Sequence, residues 1–317
     1  MQLNLEAKML RSLVAVAGKS AVVIAMIMMT TSVKAEQLPG IVVFQSDFGL
    51  KDGAVSAMQG VAMGVSTDLK LFDLTHEVPA FNIWEASYRL KQTMPYWPAG
   101  TVFVSVIDPG VGTERKSVVL KTKSGHYVVT PDNGTLSLVV ETLGLDAVRR
   151  IDEEINRRKD STRSYTFHGR DVYAFTGARL ASNTISFEEV GKLLPQEVVS
   201  IPYQIAKYEE GTFRGNIPIL DPQYGNVWTN IPATLFEEND ITHGTEFIVD
   251  IRKDGKRIYK GSMPYVTTFG DVPTGKPLIY INSLLDVSLA LNMSNFASEF
   301  GIFSGPGWSV SLKKAED

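Results

Sequence analysis

Apolar and polar residues alternate in blocks along this chain, and the blocks predict strands and helices in turn. Residues 41–49, 69–76 and 101–108 each contain a short apolar run of the length expected for a buried strand. Residues 52–65 and 84–94 lie between these runs and place apolar side chains at helical spacing. Because strands and helices alternate in this way, the pattern predicts a largely parallel sheet covered by helices.

The same domain continues through residue 195. Residues 117–123 and 126–134 predict two strands around a hairpin, and residues 136–143 predict another helix. These elements follow the first three strands without an intervening composition change. We therefore place an N-terminal α/β domain at residues 38–195.

Pro195 and Pro202 bracket a predicted linker, and the pattern changes beyond it. Strands separated by Gly, Asn and Asp turns are predicted at residues 212–220, 246–251, 257–259 and 276–281. They predict a smaller domain at residues 205–312. The fold class is therefore α/β, with an N-terminal largely parallel sheet and helices followed by a smaller C-terminal mostly-β domain.

The composition is typical of a globular protein with a sizeable core. The chain has 317 residues, of which 44% are hydrophobic and 21% charged, and these proportions argue against disorder. The formal net charge is −4 and no long block of like charges occurs, so we expect no nucleic-acid partner. Because the chain has no cysteine, it has neither a disulfide framework nor a thiol nucleophile.

The first 35 residues have the features of a signal peptide. Lys8, Arg11 and Lys19 supply positive charge, and the apolar run at residues 21–29 is too short to span a bilayer. Small residues precede Glu36, so we predict cleavage there and an exported protein, periplasmic or secreted, that is free of the membrane after cleavage. An uncleaved N-terminal anchor is the alternative.

Two short polar motifs contain the candidate chemistry. In the first, VIDPGVGTER at residues 106–115, Asp108 ends an apolar run and precedes a glycine-containing turn. Open α/β sheets bind their ligands at the carboxyl ends of the strands. Asp47 and Asp73 also stand at predicted strand ends, so we expect three acids along one edge of the sheet.

The second motif is FHGRDVYAF at residues 167–175. It places His168 and Arg170 on either side of Gly169, with aromatic residues flanking the group. Together with Arg115 and Asp108, the two motifs supply a carboxylate, two guanidiniums and an imidazole held by glycine turns. Such a set could position a small nucleophile.

A metal site is an alternative interpretation of the same residues, because carboxylates and imidazoles suit divalent ions. The candidate ligands are Asp47, Asp108, His168 and Asp171. Arg115 and Arg170 stand beside them, and their fixed positive charge discourages a cation, so we predict no metal. The chain has no P-loop, no G-x-S-x-G elbow, no H-E-x-x-H pair, and no dinucleotide fingerprint after the first strand.

The C-terminal domain contains its own polar motif, DPQYGNVWTNI at residues 221–231. Asn226, Trp228 and Asn230 interleave amide and aromatic groups there. Such a segment can hydrogen-bond to a flat heterocycle and stack on it. A strand edge followed by an ordinary turn is the alternative.

Seven motifs of the chain occur in the order known from one enzyme family. They are SDFGLKDG, DLTHEVPAF, VIDPGVGTER, TPDNG, FHGRDVYAF, YGNVWTNI and INS, and the resemblance runs from about residue 41 to about residue 305, across both domains. Together they resemble the S-adenosylmethionine hydroxide adenosyltransferase family, whose relatives include fluorinase and chlorinase. The resemblance implies two domains, S-adenosylmethionine as substrate, no cofactor, and a homotrimer. Each active site of that trimer would lie between the N-terminal domain of one subunit and the C-terminal domain of the next.

The implied reaction is attack by water or hydroxide at the 5′ carbon of S-adenosylmethionine, which yields adenosine and L-methionine. Hydrolytic members resemble one another in an Asp-Arg-His triad, and the matching residues here are Asp108, Arg115 and His168. Halogenating relatives replace the triad, so the resemblance implies a hydrolase. Arg115 can hold a hydroxide-like oxygen because it cannot deprotonate. The role of base is open between Asp108 and His168.

The resemblance also implies which residues bind the substrate. In the N-terminal domain they are Asp47 and Asp52 for the ribose hydroxyls, Phe81 near the ribose and sulfur, and Phe167 and Gly169 beside the reacting carbon. From the neighbouring subunit they are Asn226 for the adenine edge, Tyr224, Trp228 and Phe269 for its face, Asp221 for the methionine ammonium, and Ser283 for its carboxylate.

Two hypotheses from other functional classes stay open. One is an exported nucleoside-binding protein without turnover, and the other is a metal-dependent hydrolase built on the same acids. The first is kept because S-adenosylmethionine is a cytoplasmic metabolite, whereas the signal peptide predicts export.

Overall fold

A computed structural model describes residues 37–316 of the chain. The predicted signal peptide and its cleavage site fall on residues 1–36 and so lie outside the described residues. Within residues 37–316, no helix is both long enough and apolar enough to cross a membrane.

The N-terminal sheet has six strands in the order β2-β1-β3-β5-β4-β6. They are β1 (Ile41–Ser46), β2 (Lys70–Thr75), β3 (Val102–Val106), β4 (Ser117–Thr122), β5 (Tyr127–Pro131) and β6 (Leu145–Arg150). Strands β2, β1, β3 and β5 are parallel, whereas β4 pairs antiparallel with both β5 and β6. Every residue of β3 is buried, as expected for a central strand covered on both faces.

Helices cover this sheet. They are α1 (Ala54–Val65), α2 (Ile83–Thr93), α3 (Ser137–Leu143) and α4 (Phe175–Ala181), with a π-helical turn at Gly169–Ala174 and 3₁₀ turns at Met94–Tyr96 and Glu188–Val190. Helix α2 begins where the Asn82 side chain accepts a hydrogen bond from the Glu85 amide, at 3.0 Å, which satisfies one unpaired N–H of the first turn. Met58 and Ala62 of α1 pack with Val104 and Ala178 in one apolar cluster beneath the sheet.

The C-terminal region is built from two antiparallel sheets. Its strands are β7 (Lys207–Glu209), β8 (Thr212–Asn216), β9 (Ile219–Leu220), β10 (Val227–Pro232), β11 (Glu246–Lys253), β12 (Lys256–Pro264), β13 (Pro277–Ile281), β14 (Asp286–Leu291) and β15 (Trp308–Lys314). The orders are β13-β14-β10-β9 and β12-β11-β15-β8-β7. Short helices α5 (Ala233–Glu237) and α6 (Phe296–Phe300) and a 3₁₀ turn at Phe269–Asp271 accompany them. Phe213, Phe236 and Phe247 form the centre of the core between the sheets.

The predicted fold class is confirmed, because a parallel-containing sheet with helices precedes the antiparallel β region. Several element predictions differ in detail. The strand expected at residues 212–220 divides into β8 and β9, and the one expected at residues 257–259 extends over the whole of β12. Strand β6 and the helical segment from Gly169 to Ala181 had no counterpart in the sequence prediction.

Candidate active site

The parallel pairing of β1 and β3 brings two acids to one edge of the sheet. Ser46 at the end of β1 is in register with Val106 at the end of β3, so the loops that follow start side by side. Asp47 and Asp108 belong to these loops and both line a cavity of about 240 Å³. Its other lining residues are Phe48, Ala80, Phe81, Val106, Val111, Thr166, Phe167, His168 and Gly169. The cavity lies where open α/β sheets bind ligands.

Asp108 and Arg115 form a bidentate ion pair at this cavity. Arg115 Nε donates to Asp108 Oδ1 at 3.0 Å, and Arg115 Nη2 donates to Oδ2 at 2.7 Å. The side chains are 11% and 6% exposed, so bulk water screens the pair little. Burial by itself opposes the charge on Arg115, but the hydrogen bond and charge of Asp108, with Tyr173 and Glu153, raise its pKa. Arg115 therefore stays a cation.

Ser117 extends the pair into a larger network. Its hydroxyl accepts a hydrogen bond from Arg115 Nη1 at 3.0 Å and donates to Glu153 Oε1 at 2.8 Å. Tyr173 donates to Asp108 Oδ2 from 3.4 Å. Burial raises the pKa of the Tyr173 phenol, so it remains a protonated donor.

His168 is held at the other end of this network. Its Nε2 lies 3.1 Å from Arg157 Nη2 and 3.5 Å from Glu153 Oε2, and its side chain is 5% exposed. Glu153 is held by two other donors, because its Oε2 accepts from Arg157 Nη2 at 2.6 Å and its Oε1 accepts from the Ser117 hydroxyl.

Glu153, Arg157 and Ser117 were not among the sequence candidates. Glu153 and Arg157 lie in a charge-rich segment that matches none of the motifs, and only the fold brings them to His168. His168 also lines a second, larger cavity of about 870 Å³, together with Arg115, Glu153 and Arg157. The triad residues are thus connected to one another through side chains that the sequence pattern does not mark.

Asp47 and Phe81 meet at the cavity, whereas Asp52 does not reach it. The Phe81 amide donates to Asp47 Oδ2 at 2.8 Å. Phe81 has a left-handed backbone with φ of 67°, which is costly for a bulky residue and is typical of functional loops. The residue is 71% exposed. Asp52 instead accepts a hydrogen bond from the Ala54 amide at the start of α1, at 2.9 Å, and is absent from the cavity lining.

Gly169 and Phe167 lie against the sheet beneath the cavity. A Cβ added to Gly169 would lie 3.0 Å from Val106 Cγ1 and 3.3 Å from the Phe48 ring, so the backbone approaches the strand more closely than a side chain allows. The rings of Phe48 and Phe167 meet edge to face, with centroids 5.7 Å apart. Glycine at position 169 therefore allows the close backbone approach that sets the position of the neighbouring His168.

The C-terminal candidates lie apart from this cavity within the chain. None of Asp221, Tyr224, Asn226, Trp228, Phe269 and Ser283 lines it among the described residues. The Phe269 ring packs on Tyr280, with centroids 4.8 Å apart, and Tyr280 also neighbours Asn226 and Trp228. Ser283 lines a separate cavity of about 510 Å³ beside α2. Asp221 accepts hydrogen bonds from the amides of its own turn.

Two acids that the sequence pattern suggested are engaged elsewhere. Asp73 accepts hydrogen bonds from Gln59 and lies 3.1 Å from His76 Nε2, away from the cavity lining. Asp171 is buried and paired with Arg158 and Arg170, and none of these three residues lines the cavity. Within residues 37–316, no group of three or more His, Asp or Glu side chains is placed to hold a metal ion.

Comparison with known proteins agrees with this architecture. A family model described as the SAM hydroxide adenosyltransferase N-terminal domain matches residues 42–191, and the C-terminal domain model matches residues 215–309. A protein named (R)-S-adenosyl-L-methionine hydrolase from Methanocaldococcus jannaschii is 45% identical over 159 residues, which are 49% of this chain and 58% of that protein. The chain thus aligns with little more than half of that relative.

Two further similarities span nearly the whole described region. A protein named (R)-S-adenosyl-L-methionine hydrolase from Salinispora tropica is 32% identical over 263 residues, which are 83% of this chain and 94% of that protein. The crystal structure of an uncharacterized conserved protein from Thermotoga maritima superposes with a TM-score of 0.76 at 32% identity, covering 86% of this chain and 99% of that one. Since the two family models together match more than half of its residues, this chain belongs to the S-adenosylmethionine hydroxide adenosyltransferase family.

Proposed function

We propose that this protein hydrolyses S-adenosyl-L-methionine to adenosine and L-methionine. Water attacks the 5′ carbon, the new carbon–oxygen bond forms as the carbon–sulfur bond breaks, and the electron pair of that bond stays on sulfur. One proton leaves the attacking water. Because sulfur departs as a neutral thioether, the leaving group needs no general acid.

The protein must instead hold the attacking oxygen in line with the carbon–sulfur bond. The observation that supports the proposal best is the half-buried bidentate pair of Asp108 and Arg115, because Asp108 lines the same cavity as His168 and Asp47. Donors and acceptors that are fixed before the substrate arrives need no reorganisation during the reaction. Asp47 offers a carboxylate to the vicinal ribose hydroxyls in the same cavity, and Phe81 offers an exposed ring.

The experiment is chromatography of S-adenosylmethionine incubated with the purified protein, with and without a chelator, beside Arg115→Lys. We expect adenosine and methionine in equal amounts and no effect of the chelator. Lysine keeps the charge but loses the planar fork that holds Asp108, so kcat should fall at least about 100-fold. Arg252→Lys is the matched control, because Arg252 forms a bidentate pair with Asp250 in the C-terminal β region.

The other outcomes contradict the proposal in different ways. Tight adenosine binding without methionine release would indicate a binding protein without turnover. Activity that the chelator abolishes would indicate a metal-dependent hydrolase. Equal losses in Arg115→Lys and Arg252→Lys would show that the Asp108–Arg115 pair has no specific role in the reaction.

We also propose that a homotrimer completes the site, with the C-terminal candidates supplied by the neighbouring subunit. Support comes from the lining of the cavity, which is entirely N-terminal among the described residues, and from the exposed rings of Phe81, Tyr224 and Phe269. Aromatic residues are enriched at protein–protein interfaces, so these rings are candidates for contact with a neighbouring subunit. Light scattering of the purified protein should give three times the mass of the chain, and a monomeric mass would contradict the proposal.

The final part of the proposal is export, since residues 1–35 have the sequence features of a signal peptide. Mass spectrometry of the protein recovered outside the cytoplasm should show Glu36 as its first residue. An intact N-terminus on the exported protein would contradict cleavage, and retention in the cytoplasm would contradict export.

A further inference from the structure

The surroundings of His168 distinguish its two ring nitrogens. Nε2 lies 3.1 Å from Arg157 Nη2, whereas Nδ1 is buried and has no hydrogen-bond partner within the described part of the chain. Arg157 Nη2 also donates to Glu153 Oε2 at 2.6 Å. The Arg157 side chain is 6% exposed, and its guanidinium stacks 4.9 Å from the centre of the Tyr165 ring. Arg157 is thus held in one place by Glu153 and Tyr165.

A guanidinium donates hydrogen bonds and cannot accept them. The two hydrogens of Arg157 Nη2 match the two acceptors around it, the Glu153 carboxylate and a bare Nε2 of His168. A proton on Nε2 would point at another N–H group 3.1 Å away. The alternative partner for such a proton is Glu153 Oε2, which is farther away, at 3.5 Å. The contacts therefore favour the neutral tautomer that keeps its proton on Nδ1.

We propose that Arg157, fixed by Glu153, is a positioning residue that holds His168 in the tautomer protonated on Nδ1. In the reaction, which rests on the proposed function, His168 then donates a hydrogen bond to the attacking oxygen through Nδ1 and does not act as its base. The proton that leaves the water goes to Asp108. Asp108 Oδ1 accepts only the Arg115 Nε bond among the described side chains and so retains a free lone pair.

The tautomer can be read directly and without substrate. Protein with isotope-labelled histidine nitrogens gives separate NMR signals for protonated and bare ring nitrogens, and the chain has only four histidines. His168→Asn assigns the signals by removing one set. At about pH 8, where an ordinary histidine is neutral, we expect Nδ1 of His168 protonated and Nε2 bare. A proton on Nε2 in the wild-type protein would overturn the proposal.

A second measurement tests the positioning role. Arg157→Met removes the donor at Nε2, so the proton should move to Nε2, where Glu153 accepts it. We expect kcat to fall about 10-fold with KM changed less than about twofold, because the substrate contacts stay in place. Lys159→Gln is the matched control, since Lys159 lines the same larger cavity and lies two residues away. An unchanged tautomer and kcat in Arg157→Met would overturn the role of Arg157.

The donor role makes a third prediction. Asparagine at position 168 can place an N–H near the position of Nδ1, whereas alanine cannot. His168→Asn should stay within about 10-fold of wild-type kcat, while His168→Ala should lose at least about 100-fold. Equal losses in the two variants would contradict a donor and favour a base. If the wild-type protein lacks turnover, the proposed function fails, but the NMR result still decides the tautomer.

Discussion

Asp286 shows how the surroundings of one residue set its charge and the stability of the protein. Burial raises the pKa of this carboxyl to about 6, and the charge of Lys91 on α2 opposes the shift only in part. An acid with a raised pKa holds its proton more tightly in the folded than in the unfolded state. Its contribution to stability is therefore full below the unfolded pKa of 3.8 and is lost as the pH rises through about 6.

Asp286→Asn should remove this penalty. The full shift corresponds to about 3 kcal/mol, and screening by the remaining solvent contact reduces the expected gain to about 1–2 kcal/mol. We expect denaturant unfolding at about pH 8 to show that gain in the free energy of unfolding, and at about pH 4 to show no difference. Asp240→Asn is the control, because Asp240 is exposed and asparagine suits its left-handed backbone, with φ of 52°. Destabilisation by Asp286→Asn at both pH values would contradict the prediction.

At the scale of elements, the helical segment from Gly169 to Ala181 directly follows His168 and positions it beside the sheet. Its π-helical turn continues into α4, which packs on the buried strand β3. A Cβ added to Gly177 would lie 2.5 Å from Val104 Cγ2, and Gly177 is buried. The glycine therefore sets how closely α4 approaches β3, the strand that precedes Asp108.

Gly177→Ala should lower the free energy of unfolding by about 1–3 kcal/mol, because the added methyl must displace the close-packed side chain of Val104. Gly60→Ala is the matched control. Gly60 is exposed within α1 and has no atom within 4 Å of an added Cβ, so alanine should stabilise the helix by about 0.5–1 kcal/mol. Thermal unfolding of both variants measures the two effects. Equal changes would show that α4 can move away from β3 without cost.

The elements that the sequence predicted are those whose apolar pattern matches their burial. β1, β3 and α2 bury regular apolar positions, so periodicity identifies them. β6 was missed because only Val148 within it is fully buried. The segment from Gly169 to Ala181 begins in a polar motif and with a π turn, which has no simple period.

The residues of the candidate site differ in the same way in how far the sequence marks them. The motifs contain Asp108, Arg115 and His168, and the fold places all three in one network. Glu153 and Arg157 reach His168 only through tertiary contacts, so no spacing along the chain marks them. The roles of the triad in catalysis stay a prediction that the variants above test.

At the scale of the whole molecule, the cavity and the C-terminal candidates occupy separate places in one chain. Asp108 and Asp47 line the cavity at the sheet edge, whereas Phe269 packs on Tyr280 in the β region. Phe81 and Tyr224 are 71% and 66% exposed, so each side offers an uncovered aromatic surface. A symmetric assembly can join two such different surfaces head to tail and close as a ring.

Co-expression of two inactive variants tests whether the working site spans two subunits. Arg115→Ala damages the N-terminal side, and the double variant Tyr224→Ala with Phe269→Ala damages the C-terminal side at partly exposed residues. In a randomly mixed ring, about a quarter of the interfaces join an intact N-terminal side to an intact C-terminal side, so about a quarter of wild-type activity should return. Each variant expressed alone is the control and should stay inactive or nearly so. If both sides of a site came from one chain, every site in the mixture would remain damaged and no activity would return.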